Sequence, residues 1–387
     1  MRDRAWWPGI NGKIPVSMTM VPAMTEFVDA HLEQQLGVIT LQRPKALNSL
    51  SLEMVRALTA ILRSWRDDSQ VAAVLIRGSD ERAFCAGGDI RFFYQAGSST
   101  PTGHSALLED FFSEEYALNH LIHFYPKPYI AFMDGVVMGG GMGIAQAGPA
   151  CRCRIVTDRT KMAMPEVNIG LFPDVGGSYF LSRTPGQLGT WLGLSGETIG
   201  AADALVAGLA DYYLPGSELN ALQALLLQSR GDSAAIMAIV AGFCKAFMPD
   251  RASSTLARNR ALIDYHFGHD TVAAIMASLA QDSSAFAQQT MQAMQKRSPL
   301  MLCVTLAQLR RGAQMGVSDC LRMERTMVRR NFEHGEVIEG IRALVIDKDQ
   351  APHWSPPALG AVTPAMVEAF FESAWPDGAH PLRDLAG

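Results

Sequence analysis

The stretch "PYIAFMDGVVMGGGMGIAQAGPACRCRIVT", residues 128–157, decides the fold. Its first part, "PYIAFMDG" (128–135), is an apolar run that predicts a strand, and "CRCRIVT" (151–157) predicts another. Between them Gly139, Gly140 and Gly141 open "GGGMGIAQAG" (139–148), which reads as a helix start. A strand that runs through glycines into a helix leaves peptide N–H groups uncovered by any Cβ, and such groups suit an anion or a developing oxyanion. The Gly140 N–H is the candidate donor; close packing of the helix against its neighbours explains the same glycines. No G-x-G-x-x-G register closes, no Lys-Ser/Thr follows, and no G-x-S-x-G elbow exists anywhere in the chain. Dinucleotide, P-loop and serine-hydrolase readings therefore fail.

Working outward, "GVITLQRP" (37–44) predicts a strand stopped by Pro44, and "VAAVLIRGS" (71–79) a buried strand. Between them "SLEMVRALTAILRSWRDD" (51–68) predicts a helix capped by Ser51, with Met54, Leu58, Ile61, Leu62 and Trp65 on one face. The segment 184–215 turns helical, and residues 218–345 carry Ala, Leu, Met and Gln at helical spacing. This places a β/α lobe at 25–215 and a helical region at 216–387, after a loosely ordered extension at 1–24 to which no function is assigned. No sequence repeat is visible, although strand-strand-helix units can stack without one.

With 387 residues and 48% hydrophobic composition, the chain can bury a large core and fits neither a disordered nor a disulfide-stapled class. A net charge of -5 with mixed signs gives no footprint for nucleic acid. An anionic ligand would need local basic residues and backbone N–H groups. The six cysteines (85, 151, 153, 244, 303, 320) show no C-x-x-C spacing and read as reduced thiols of a cytoplasmic protein. No metal is expected, since Cys151 and Cys153 flank Arg152 in a strand and His104, His120 and His123 lack ligand spacing. No membrane segment is expected either, because Asp134 and many glycines interrupt the most apolar stretch.

Two further stretches bear on chemistry. In "RAFCAGGDIRFFYQAG" (82–97), Gly87 and Gly88 form a second strand-to-helix turn with open N–H groups, or simply a turn with Asp89 in the first helical turn. In "MAMPEVNIGLFPDVGGSYF" (162–180), Glu166 follows a strand and Asp174 precedes a helix start. A turn residue and a helix cap are the ordinary readings. Two carboxylates among apolar residues are also how acid/base pairs are made. The residues alone leave that choice open.

"RAFCAGGDI", "GVVMGGGMG" and "MPEVNIGLFPDVGGSYFLSR" resemble the enoyl-CoA hydratase/isomerase (crotonase) superfamily, and within it the 3-hydroxyisobutyryl-CoA hydrolase branch. The likeness runs from "GVITLQRPKALNSLSLEMV" to "YLP" at 215, then less densely through "SPLMLCVTLAQLRRG", "ERTMVRRNF" and "GIRALVIDKDQAPHWSP". It implies an α/β fold, a crotonase-like ββα spiral followed by a helical C-terminal region, and an acyl-CoA thioester as substrate. It implies that the N–H groups of Gly88 and Gly140 hold the thioester oxygen, each donor worth roughly 3–4 kcal/mol to an oxyanion. Family hydratases carry a glutamate three residues after the second of these glycines, where this chain has Gly143. Glu166 matches their other glutamate, and Asp174 stands where hydratases typically have glycine. "FPDVGG" is characteristic of the hydrolase branch.

The resemblance also makes Glu115, in "SEEYALNH" (113–120), a substrate contact; taken alone it is an acidic helical turn in solvent. Lys45, Ala46 and Leu47 look like the segment over the pantetheine and adenine of CoA, with Ala86, Asp89 and Ile90 flanking the oxyanion turn. Lys348 reads as a surface ion-pair partner of Asp347 or Asp349, with a CoA phosphate as the alternative. The implied activity is hydrolysis of a short branched 3-hydroxyacyl-CoA in valine breakdown. Glu166 serves as nucleophile or as the base for water, while Asp174 and Glu115 recognise the 3-hydroxyl. No cofactor is implied, since CoA belongs to the substrate, and a homo-oligomer is left open. The rivals are a hydratase or isomerase on the same scaffold and a non-catalytic acyl-CoA binder.

Overall fold

The computed structural model describes residues 25–100, 105–229 and 232–386, so the 1–24 extension and His104 lie outside the described residues. Among the described residues nine strands form two sheets. The larger contains β1 (Val28–Glu33), β2 (Leu36–Leu41), β3 (Ala73–Gly78), β5 (Tyr129–Met133), β7 (Arg152–Val156) and β9 (Tyr212–Tyr213), in that spatial order. The smaller contains β4 (Ala83–Cys85), β6 (Val136–Met138) and β8 (Lys161–Ala163). Among these described strands β1 and β2 pair antiparallel, and the other strand pairs are parallel.

Three turns of the spiral each supply one strand to each sheet, while β1, β2 and β9 belong to the large sheet alone. β3 and β4 are followed by α2 (Ile90–Ser98) and α3 (Ala106–His123), β5 and β6 by α4 (Gly140–Gly143), and β7 and β8 by a 3-10 turn and α5 (Gly177–Leu181). The corner between β5 and β6 is made by Asp134, whose carboxylate binds Thr157 and Arg159, and by Gly135 at φ +73°. The stretch 128–135 is thus one strand and its corner, and a second strand intervenes before the glycine turn.

Strands buried on both faces read as continuous apolar runs, and the structure shows why. Val74 and Ile76 of β3 face the cluster that includes Met54, Leu58, Ile61 and Leu62 of α1 (Leu52–Arg66). Ala73 and Leu75 face the other way, onto Leu222, Leu226, Ile236 and Val240. After α6 (Leu188–Ser195) and α7 (Ala201–Val206), those four residues sit on α8 (Leu219–Gln228) and α9 (Ser233–Cys244). The helical stretch beyond 216 therefore closes the outer face of the large sheet. Ser51 caps α1 as its position predicts, accepting from the Met54 N–H at 3.3 Å.

The remaining helices run from α10 (Thr255–Phe267) through α11 (Val272–Ala280), α12 (Ala285–Gln295), α13 (Pro299–Gly312), α14 (Val317–His334) and α15 (Glu336–Ile341) to α16 (Pro364–Glu368). One correction concerns 184–215, expected to be helical to its end. Tyr212 and Tyr213 instead extend the large sheet beside β7, and Asp211 anchors them by accepting from Arg152 and Arg154 at 3.0 and 2.9 Å. An ion pair to a neighbouring strand overrides the helical pattern there.

Candidate active site

All three strands of the small sheet end at the same place. β4 runs into Gly87-Gly88, β6 into Gly139-Gly140, and β8 into Met164-Pro165-Glu166. Ligands of parallel sheets collect beyond the carboxyl ends of the strands, and a cavity of about 300 Å³ opens there. Gly87 adopts φ +98° and Gly139 φ +49°, both in the region that disfavours side chains. The two turns approach so closely that a Cβ on Gly140 would lie 3.3 Å from the Gly88 nitrogen, and one on Gly87 3.4 Å from the Gly140 nitrogen.

Both amides are available. Leu50 takes the Gly87 carbonyl and the Asp89 N–H on one side, at 2.7 and 3.1 Å, which turns the Gly88 N–H to the other side. Gly140 is the first residue of α4, where an N–H has no intrahelical acceptor.

Three carboxylates border the same cavity: Glu115, Glu166 and Asp174. They are 2%, 7% and 5% exposed. Glu166 reaches back over Gly139, so that a Cβ there would sit 2.5 Å from its Oε1, and its Oε2 is buried without a partner. The Glu115 Oε1 is likewise unpaired, 2.6 Å from where a Gly140 Cβ would stand. Burial, with the nearby Asp174 charge, pushes both glutamates well above the ordinary carboxylate range. Burial raises Asp174 less, to about 6, because the Tyr116 hydroxyl donates to its carboxylate at 2.6 Å. Three acids so placed share their protons as a set, and the pH behaviour belongs to the set.

Glu115 arrives on α3, whose buried residues Leu108, Phe111, Phe112, Glu115, Tyr116, Asn119 and Ile122 recur every three or four positions. The solvated residue of that turn is its neighbour Glu114, paired with Arg56 at 2.6 Å. This periodicity was a signal for Glu115 independent of any family.

Asp174 does not cap α5. That task falls to Glu324 of α14, fully buried, which accepts from the N–H groups of Gly176 and Ser178 at 2.7 and 2.9 Å and from the Ser178 hydroxyl. Burial raises the Glu324 carboxyl to about 8 against those three donors. The Asp174 side chain is thereby left to the cavity.

Ala86 and Ile90 line the cavity as well. The structure does not bring Asp89 there: it caps α2 through the Phe92 N–H at 3.3 Å and pairs with Arg43 at 2.7 Å. Lys45, Ala46 and Leu47 also lie off the cavity lining, on a short turn tied to the oxyanion loop by the Ala86 N–H and the Leu47 carbonyl at 3.0 Å. Asp347 and Asp349 pair with Arg342, at 2.7 and 2.6 Å, rather than with Lys348. Gly143 faces away from the cavity, where a Cβ would crowd Val175 and Asn119 at 2.6 and 2.8 Å. Sequence reasoning missed Tyr116, Glu324 and Leu344. Leu344 comes from a π-helical turn (Arg342–Ile346) and brings the C-terminal region to the cavity wall.

Among the described residues no cluster of metal-ligating side chains occurs, and no helix is long and apolar enough to cross a membrane.

The enoyl-CoA hydratase/isomerase family model matches residues 36–371. The chain is 39% identical to the mitochondrial 3-hydroxyisobutyryl-CoA hydrolase of Rattus norvegicus, over 90% of each chain. It is also 39% identical to that of Xenopus laevis, over 87% of this chain and 86% of the relative. A crystal structure of a carnitinyl-CoA dehydratase from Mycobacterium thermoresistibile superposes with a TM-score of 0.83 at 39% identity, covering 91% of this chain and 98% of that one. The expectation of a cytoplasmic protein is corrected by these relatives, which are mitochondrial. Unpaired thiols do not say which compartment holds a protein.

Proposed function

We propose, since this chain belongs to the enoyl-CoA hydratase/isomerase family, that it is a thioester hydrolase releasing CoA and 3-hydroxyisobutyrate from 3-hydroxyisobutyryl-CoA, a step of valine breakdown. The observation that carries the chemistry is the convergence of two main-chain amides and the Glu166 carboxylate at the ends of three adjacent strands. The Gly88 and Gly140 amides polarise the thioester carbonyl and stabilise the oxyanion as it forms. Glu166, ionised, either attacks the carbonyl carbon or takes a proton from an attacking water. By the first route the C–S bond breaks to give a mixed anhydride, which water then opens; by the second, water adds directly. In both, the CoA sulfur leaves with the bonding pair and is protonated.

Asp174, kept partly ionised by Tyr116, accepts the substrate 3-hydroxyl, and the Glu115 carboxyl completes the polar side of the cavity. A site built to accept that hydroxyl discriminates against acyl groups lacking it. Water is the only co-reactant, so the reaction takes no separate cofactor. The hydratase reading is disfavoured by Gly143, which stands where hydratases of the family carry their other glutamate.

Thiol release from 3-hydroxyisobutyryl-CoA, followed with a thiol reagent, tests the proposal. Hydration of crotonyl-CoA without free thiol would favour the hydratase, and binding without either reaction would favour an inert acyl-CoA carrier.

A further inference from the structure

Behind the catalytic cavity lies a second one of about 310 Å³. Val175 lines both. The segment Asp174-Val175-Gly176 is a partition, with Asp174 facing the catalytic side and Gly176 the distal side. Val175 holds φ +52°. A β-branched residue rarely adopts that left-handed conformation, and strain of this kind persists where the surrounding structure fixes it, often at functional sites. Its isopropyl group fills the space over Gly143, close enough that a Cβ on Gly143 would meet the Val175 Cβ at 2.6 Å. A glycine on α4 and a strained valine on the opposite loop together form the wall.

Beyond the wall the lining mixes apolar side chains with a few polar ones. Asn119 is 5% exposed, yet neither its Nδ2 nor its Oδ1 has a hydrogen-bond partner. Its Nδ2 is 2.8 Å from the Gly143 Cβ position, so the amide stands directly behind Val175. Arg152, Arg154 and Arg183 also line this cavity. Asp211 pairs with the first two, and Arg183 stacks at 3.8 Å on the Tyr179 ring. A buried amide without partners costs free energy unless a ligand or water completes it.

Taking the acyl-CoA thioesterase reading as its basis, we infer that Val175 is the specificity-determining wall of the acyl site. It stops the acyl chain at the short branched length, and the chamber behind it accepts a longer 3-hydroxyacyl chain, ending in a hydrogen-bonding or anionic group, once that wall is removed. Asn119 is the residue that receives that end.

The test is Val175→Gly, which removes the wall and suits the positive φ, so the variant is expected to fold; thermal unfolding checks this. Thiol release and calorimetric binding are measured for 3-hydroxyisobutyryl-CoA, 3-hydroxyhexanoyl-CoA and 3-hydroxyadipyl-CoA. The wild-type preference for the short ester is expected to narrow by about tenfold or more in the variant, as for a few methylenes gaining a pocket. The larger gain should go to the adipyl ester, and adding Asn119→Leu should remove that extra gain while leaving the hexanoyl gain. A folded Val175→Gly protein with unchanged preference overturns the wall, and an adipyl gain indifferent to Asn119→Leu overturns the role of the amide. No thiol release from any ester by the wild-type protein overturns the hydrolase reading instead, and the preference is then read from binding.

Discussion

Two buried glutamates, Glu324 against the start of α5 and Glu166 at the start of the preceding 3-10 turn, have opposite surroundings. Every feature around Glu324 satisfies it: two backbone N–H groups and a serine hydroxyl donate to its carboxylate. Glu166 keeps a buried oxygen with no donor, beside an empty space and two further acids. A buried carboxylate that the fold completes is part of the scaffold. One that the fold leaves incomplete at a cavity is placed to meet something that arrives there, because a buried polar atom without a partner is costly.

The sharpest way to break this contrast is to neutralise each in turn. Glu166→Gln is expected to lower turnover by about three orders of magnitude while CoA-ester binding persists and the unfolding temperature holds or rises. Retained turnover would remove Glu166 from the mechanism. Glu324→Ala should do the reverse, costing roughly 3 kcal/mol in denaturant unfolding by orphaning two buried N–H groups, while the folded fraction keeps turning over. Glu324 also gives a pH signature. Its carboxyl is raised to about 8 in the folded state, so its contribution to stability is complete below the ordinary glutamate range and is lost as pH rises through about 8. Glu324→Gln should flatten that slope, measured as unfolding free energy across the interval.

Tyr116→Phe sharpens the picture of the third acid. The Tyr116 hydroxyl opposes the rise of the Asp174 carboxyl, so its loss should move the acid limb of kcat/KM upward by about one pH unit. An unshifted limb would separate Asp174 from the titration that controls activity. Last and smallest, Ser51→Ala should cost about 1 kcal/mol of stability with no change in turnover, since this cap serves α1 alone.

The same contrast explains what could be read from the residues. Local chemistry was legible: the Ser51 cap, the apolar face of α1, and the glycine turns at 87–88 and 139–140 all depend on neighbours close in sequence. Glu166 and Asp174 were visible as candidates, but their roles were not. Asp174 looked like a cap because the residue that does the capping lies on α14, 148 positions after Gly176. Lys348 looked paired because its neighbours are acidic, whereas Arg342 reaches both of them around a π-helical turn. The short strands β6, β8 and β9 hold three residues or fewer, too few for a period to show. The compartment was misread because cysteine chemistry is blind to it.

The three-stranded sheet has a last consequence. Parallel neighbours sit about 4.8 Å apart whatever their side chains, and β4, β6 and β8 each hand over one functional group where they stop. The gauge between the groups is set by main-chain geometry, like the rails of a track. Substitutions along the surrounding loops can therefore change what travels through the site without altering its width, and a new selectivity can be tried here without rebuilding the machinery beneath it.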